Sequence, residues 1–328
     1  MYTEFYNLTH LPFQLTPDAR FFYESSVHRQ AMSYLIYGLH HAEGFIVITG
    51  EVGAGKTMLV ENLLSTIAIG EFVIAKIVTT QLGGDDLLRM VAAGFGIGQE
   101  NIAKGSLLKR IDDFLVSQRR TGKRALLIVD EAQNLSFAAL EELRMLSNLM
   151  SGKSMALQSF LLGQPQFRTV LANPELEQLR QRVTAAYHLG PLNEAETRAY
   201  IEHRLRLADW EGDPAIADDC FAVIYKFSGG VPRRINTLCA RLLLYGFLEG
   251  LHTITAAAVE SVGNDLGREL AFANGSGAQT PAISLDKENP LSDIARHLTQ
   301  LEQTVERHER VIKQAIAIVA RYLQGPES

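Results

Sequence analysis

The 328-residue chain reads as an α/β protein: a parallel sheet with helices on both faces, followed by an α-helical bundle and a C-terminal heptad helix. Two observations predict the sheet. Apolar runs at 45–49, 72–78, 125–129 and 157–162 alternate with segments of helical period, and strand signals stop at about residue 190. The runs are continuous rather than alternating, which means burial on both faces and hence parallel strands. A third observation fixes what the sheet carries. Gly50-Glu51-Val52-Gly53-Ala54-Gly55-Lys56-Thr57 follows the first run at once, a G-x-x-x-x-G-K-T loop at a strand-to-helix junction.

Taken from the N-terminus, residues 1–44 are rich in aromatics and prolines (Phe5, Tyr6, Leu11-Pro12-Phe13, Pro17, Phe21-Phe22-Tyr23) and then turn helical through His28, Ala31, Leu35 and Leu39. The core, 45–190, begins with the phosphate loop. Its glycines let successive N–H groups point at phosphate oxygens, and the next helix (Met58, Leu59, Val60, Leu63, Leu64, Ile67) adds the positive end of its dipole. Lys56 is placed to reach the β- and γ-phosphates, and the Thr57 hydroxyl to ligate Mg²⁺. Residues 124–131, Arg-Ala-Leu-Leu-Ile-Val-Asp-Glu, form a strand ending in two carboxylates. Asp130 there holds Mg²⁺ through its water shell, and Glu131 polarises the attacking water. An apolar strand ending in acids is often only a solvated strand end. Beside a phosphate loop in one α/β pattern, it predicts ATP binding and Mg²⁺-dependent hydrolysis at the carboxyl edge of the sheet.

From 191 to 270 four helices are predicted, at 194–208, 214–227, 232–249 and 256–266. Residues 271–289 are small and polar, a linker. In 290–324 the residues Leu291, Ile294, Leu298, Leu301, Val305, His308, Ile312, Ala315, Val319 and Tyr322 keep a 3-4-3-4 spacing. That is a coiled-coil seam, self-associating or pairing with a partner helix; a single amphipathic helix folded onto the body is the alternative.

Composition narrows the classes. Hydrophobic residues make up 47 % and charged residues 21 %, enough for a sizeable core. A net charge of -6 weighs against coating nucleic acid by bulk electrostatics. Lys104, Lys109, Arg110, Arg119, Arg120, Lys123 and Arg124 form a loose basic zone that reads as a solvated helix face. The two cysteines, Cys220 and Cys239, sit among apolar residues as buried thiols. The N-terminus lacks the pattern of a secretory signal, and no apolar stretch spans a bilayer; 311–323 is short and broken by Lys313, Gln314 and Arg321. A cytoplasmic protein is expected, with peripheral attachment at the inner membrane through a partner as the alternative.

Several separated motifs resemble one family. Leu8-Thr9-His10-Leu11-Pro12-Phe13, Thr16-Pro17-Asp18, Asp130-Glu131-Ala132-Gln133-Asn134-Leu135, Leu143-Arg144-Met145-Leu146-Ser147-Asn148, Leu162-Gly163-Gln164-Pro165 and Gly230-Val231-Pro232-Arg233-Arg234-Ile235-Asn236 occur in the order seen in ExeA/GspA-type secretion ATPases. These are P-loop AAA+ proteins in which a helical lid follows the sheet. The resemblance covers about residues 1–270 and is strongest to the branch found in exosortase/PEP-CTERM exopolysaccharide loci; transposition ATPases of the TniB/MuB type are related. Larger members continue into a membrane span and a peptidoglycan-binding domain, whereas residues after 270 here read as linker and heptad helix, so cell-wall binding is not carried over.

The resemblance implies further roles. Gln164 stands where the family keeps a polar sensor of the γ-phosphate or the attacking water, with a loop cap before Pro165 as the plain alternative. Arg180 and Arg182 fall where an arginine finger reaches a neighbouring subunit's nucleotide, Arg182 being preferred. Arg233, or its neighbour Arg234, matches the second sensor on the lid. The aromatics around Pro12-Phe13 and His28 either close over the adenine or belong to the core. With Gly50 to Met58 as the nucleotide-binding residues, the implied function is an oligomeric ATP-driven motor or switch in assembly of envelope export machinery, engaging a secretion or envelope partner through the C-terminal helix. A regulator that binds duplex DNA when ATP-bound, and a scaffold that binds nucleotide without turning it over, are the competing classes.

Overall fold

Five segments form one all-parallel sheet in the computed structural model, which describes residues 2–16, 18–41, 44–67, 70–78, 83–100, 102–151, 154–155 and 157–273. The strands are β1 (Phe45–Gly50), β2 (Phe72–Val78), β3 (Arg124–Asp130), β4 (Leu157–Gly163) and β5 (Val183–Leu189). Their spatial order is β2-β3-β4-β1-β5, each pair parallel. In β1 and β4 every residue is buried. Such interior strands must be apolar on both faces, and this is what their unbroken apolar runs encode.

Side chains then sort by period two onto the two faces. Phe45, Val47, Leu127, Val129 and Leu161 pack under α3 (Gly84–Gly94), α4 (Lys104–Arg120) and α5 (Phe137–Ser147), where Leu87, Val91, Ile111 and Leu143 meet them. Ile46, Ile48, Leu126, Ile128 and Phe160 face α1 (Ser26–His41) and α2 (Lys56–Thr66), meeting Leu35, Leu59 and Leu63. The basic residues Lys104, Lys109, Arg110, Arg119 and Arg120 lie on the exposed side of α4.

The fifth strand corrects the sequence reading, which ends the strand series at β4. β5 is an edge strand whose residues alternate between half-buried and exposed. Its Thr184, Ala185, Ala186 and His188 never form the solid apolar run by which the other strands are recognised. Between β4 and β5 stand two short helices, α6 (Gln166–Leu171) and α7 (Glu177–Arg180).

The lid consists of α8 (Glu194–Arg206), α9 (Asp218–Ser228), α10 (Pro232–Leu248) and α11 (Ala256–Ala273). Asn193 and Glu196 form a reciprocal capping box at the start of α8. Two boundaries differ by more than two residues from those predicted. α9 begins at residue 218 rather than 214, because Ala215–Ile216 pair with Thr253–Ile254 as a short parallel ladder. α11 runs past 266 to Ala273, taking the first three residues assigned to the linker. The rest of that linker and the heptad helix at 290–324 lie outside the described residues. Tyr6, Leu8 and Phe13 are buried in the lid's core with Tyr200, Ile235 and Leu242, so the chain's first segment completes the lid. No helix among the described residues is long and apolar enough to cross a membrane.

Candidate nucleotide site

The phosphate loop follows β1 at the carboxyl edge of the sheet and leads into α2. Gly53 has φ +83° and Gly55 φ +97°, a conformation open to glycine and strained for other residues. Space gives a second reason. A Cβ on Gly53 would stand 2.2 Å from Arg233 Cβ, and one on Gly55 2.7 Å from His28 Nε2. The loop is therefore gripped from both sides. His28, from α1, is 5 % exposed; its Nε2 donates to the Ala54 carbonyl (3.2 Å), while Nδ1 pairs with the Ser25 hydroxyl (2.7 Å). Burial lowers the pKa of His28, opposed by its bond to Ala54 and the charge of Glu196, so the ring holds the loop as a neutral donor. From the lid, the Arg233 amide donates to the Gly53 carbonyl (3.2 Å).

Lys56 is buried at the first turn of α2. Its ammonium donates to the carbonyls of Gly50 (2.8 Å) and Glu51 (3.0 Å). Burial lowers its pKa, and the charges of Glu131 and Asp130 push it back up. A buried ammonium with two neutral acceptors and a third proton to give suits an anion, and the glycine cradle suits a phosphate.

The carboxylates meet α2 at the end of β3. Thr57 Oγ1 donates to Asp130 Oδ2 at 2.7 Å, and the Glu131 amide to Asp130 Oδ1 at 2.9 Å. A hydroxyl and a carboxylate side by side are hard oxygen donors of the kind Mg²⁺ takes when phosphates and water complete its octahedron. Glu131 stands at φ +56°, an unusual backbone for a non-glycine residue and one found at functional sites. Its carboxylate accepts from Gln133 Nε2 and from Gln164 Nε2 (3.1 Å), and the Gln164 amide donates to Gln133 Oε1 (2.9 Å). Burial raises the pKa of Glu131, but those two amides and the charge of Lys56 outweigh it and leave the group below the usual carboxylate range.

One cavity joins these parts. It is lined by Val52, Gly53, Gly55, Lys56, Thr57 and Met58 of the loop and α2, by Glu131, by Gln14, Leu15, Thr16, Asp18, Phe21, Phe22 and Tyr23 of the N-terminal segment, and by Tyr200, Arg204, Pro232, Arg233 and Asn236 of the lid. Phe13 is not among them; it is buried in the lid core, the core alternative of the two open for this segment. The residues just after it, Leu15, Phe21, Phe22 and Tyr23, do face the cavity. Phe22 meets His28 edge-on (5.7 Å) and Tyr23 meets Tyr200 edge-on (5.9 Å), so this strap bridges core and lid.

Of the two lid arginines, Arg233 lines the cavity, whereas Arg234 turns to Glu51 (3.7 Å). Arg180 and Arg182 are elsewhere. The carbonyl of Arg182 accepts the Phe45 amide at the start of β1, so both residues lie at the amino edge of the sheet, away from this chain's own loop. Arg180 is exposed and paired with Glu177; Arg182 Nη1 donates to the carbonyl and hydroxyl of Ser147 (3.4 and 3.3 Å). Sequence reasoning assigned no role to Gln133, Tyr200, Arg204 or Asn236. An arginine on the buried side of an amphipathic helix was the signal for Arg204, and Gln133 and Asn236 stood inside motifs already singled out.

Comparison with known proteins agrees with this geometry. Residues 39–171 match the family described as "AAA domain". Over 255 residues the chain is 39 % identical to general secretion pathway protein A of Aeromonas hydrophila, a stretch covering 77 % of this chain and 46 % of that protein; the chain thus spans about half the length of that relative. Among solved structures, CDC6P from Pyrobaculum aerophilum matches with TM-score 0.61 at 16 % identity, covering 77 % of this chain and 70 % of that one. The ORC2 protein of Aeropyrum pernix, in ADPNP–ADP complexes, matches with TM-score 0.55 at 16 % identity over 73 % and 66 %. The RuvB Holliday junction branch migration motor of Thermotoga maritima does so with TM-score 0.52 at 18 % identity over 78 % and 73 %. At such identities the structures establish the fold alone. Fold, phosphate loop and sequence similarity agree: the chain has the AAA+ P-loop fold and is homologous over 255 residues to general secretion pathway protein A.

Proposed function

We propose that the chain is a Mg²⁺-dependent ATP hydrolase that works as an oligomer in assembling envelope export machinery. One observation carries the hydrolase reading: the Thr57–Asp130 pair at 2.7 Å stands next to Glu131, itself held by Gln164 at 3.1 Å. The loop amides and Lys56 bind the phosphates and neutralise their charge. Glu131, kept ionised by its two amide donors, accepts a hydrogen bond from the attacking water. Gln164 fixes Glu131 and stands where it can touch the same water. Arg233 brings a cation from the lid, so that lid closure completes the site. Thr57 and Asp130 would hold Mg²⁺, which when bound would supply charge stabilisation on the phosphate oxygens.

The oligomeric part rests on Arg180 and Arg182. An arginine at the amino edge of the sheet does not serve its own loop, and an adjoining subunit's loop is the site it can complete. The export role rests on the similarity to general secretion pathway protein A, and its exopolysaccharide branch on the motif resemblance; peripheral attachment to the inner membrane through the C-terminal helix belongs to the same proposal. The test is phosphate release per subunit against protein concentration, with Mg²⁺ and then with a chelator. Turnover that rises with concentration and vanishes with chelator is expected. The Glu131→Gln protein should lose at least about a hundredfold in turnover while keeping its ATP affinity. Full activity of that variant would remove Glu131 from the mechanism.

A further inference from the structure

The cavity does not end at the phosphate loop. It continues past Phe21, Phe22 and Tyr23 to the lid, where Arg204 of α8 is only 5 % exposed and yet lines the wall. A guanidinium has five N–H donors and is costly to bury without acceptors. Among the described residues, Arg204 makes one hydrogen bond, from Nη1 to the Tyr200 hydroxyl at 2.7 Å. Its Nε is buried with no partner. The Tyr200 hydroxyl is already committed, since it donates to Asn236 Oδ1 at 2.8 Å. The rings of Phe21 (4.9 Å) and Tyr200 (5.6 Å) lie against the cation; they offset its charge through their π faces but leave the remaining N–H groups without an in-plane acceptor.

We infer that Arg204 reads the base of the bound nucleotide, donating to N3 or N7 of a purine, and so sets base specificity. The inference rests on the nucleotide reading above. A ligand fixed by its phosphates on the loop must send its sugar and base away from it, into the stretch walled by Phe21, Phe22 and Tyr23. Those flat aromatic walls suit a flat ring, and a donor-only side chain at its edge requires an acceptor there. Purines carry in-plane acceptors at N3 and N7, on a double ring large enough to reach from the strap to α8. Because Arg204, Tyr200 and Asn236 form one hydrogen-bonded chain, the base contact on α8 is joined to α10, where Arg233 lies one turn before Asn236. The base contact and the cavity-lining Arg233 thus stand on two helices joined by one hydrogen-bonded chain.

The experiment measures equilibrium binding of ATP, 7-deaza-ATP, 3-deaza-ATP, CTP and tripolyphosphate to the wild-type chain, Arg204→Met and Lys56→Ala. The wild type should bind ATP about tenfold or more tighter than CTP, and one of the two deaza analogues should lose about tenfold, the worth of a hydrogen bond to a charged donor. Arg204→Met should lose the same factor for ATP and nothing for tripolyphosphate. Equal affinity for ATP and both deaza analogues overturns the proposal, as does an unchanged ATP-to-CTP ratio in a folded Arg204→Met. The deaza comparison needs no variant, so it decides even where Arg204→Met does not fold. Were ATP binding independent of Lys56, the nucleotide reading itself would fall, a result distinct from loss of base selectivity alone.

Discussion

Glu131 is the residue on which several effects converge, and their signs can be separated. Burial favours its protonated form, whereas the amides of Gln133 and Gln164 and the charge of Lys56 favour the carboxylate, and the second group wins. A base held below the usual carboxylate range stays ionised on the acid side of neutrality, so turnover should persist as pH falls until that depressed pKa is reached. Removing a donor reverses part of the shift. Gln164→Ala or Gln133→Ala should move the acid limb of the kcat profile to higher pH, because fewer bonds then favour the charged form. A pH–rate series on the variants checks this, and an acid limb that stays in place would mean that neither amide tunes the base. Asp130 and Glu131 were legible as a pair because they end a solid apolar run. The amide clamp was not legible, since Gln133 and Gln164 are 31 residues apart in sequence and meet only through the β3–β4 pairing.

At the scale of elements, legibility follows the unbroken apolar run, which even the partly exposed edge strand β2 keeps in residues 72–75. β1 and β4 are wholly buried and announce themselves as unbroken apolar runs; β5, at the edge, buries mostly one side and carries Thr184 and His188 on the other. The N-terminal segment was legible as aromatic, but its division of labour was not. Tyr6 and Phe13 enter the lid core while Phe21 to Tyr23 face the cavity, and an aromatic-rich sequence does not say which ring is which. Tyr6 shows what its half contributes: it is 2 % exposed, and its hydroxyl donates to the Leu251 carbonyl at 3.0 Å across the lid. Tyr6→Ala removes that bond and leaves a ring-sized void beside α10, so it should cost about 3–5 kcal/mol. Urea unfolding measures the loss. A midpoint unchanged from wild type would mean that the lid is stable without its N-terminal piece.

For the whole molecule, the central question is whether one chain contains a complete site. Its own loop, carboxylates and lid arginine meet in one cavity, but Arg180 and Arg182 sit at the other edge of the sheet. Head-to-tail assembly joins those edges without needing either subunit to change shape, and repetition of such a contact closes into a ring or runs on as a filament. The arrangement makes a sharp demand on mixtures. A subunit with Arg180→Ala and Arg182→Ala keeps an intact loop but lends no arginine; a Glu131→Gln subunit binds ATP without turnover but can still lend one. Each protein alone should be nearly inactive. Mixed in equal amounts and allowed to exchange, they form interfaces in which an intact loop faces an intact arginine, about a quarter of all interfaces if subunits mix at random. Phosphate release in the mixture should therefore exceed the sum of the separate proteins, with co-purification of differently tagged subunits verifying that mixed assemblies exist. Activity that stays at the sum in proven mixed assemblies would restrict each site to its own chain. Full activity of the double-arginine protein alone would remove both residues from the chemistry.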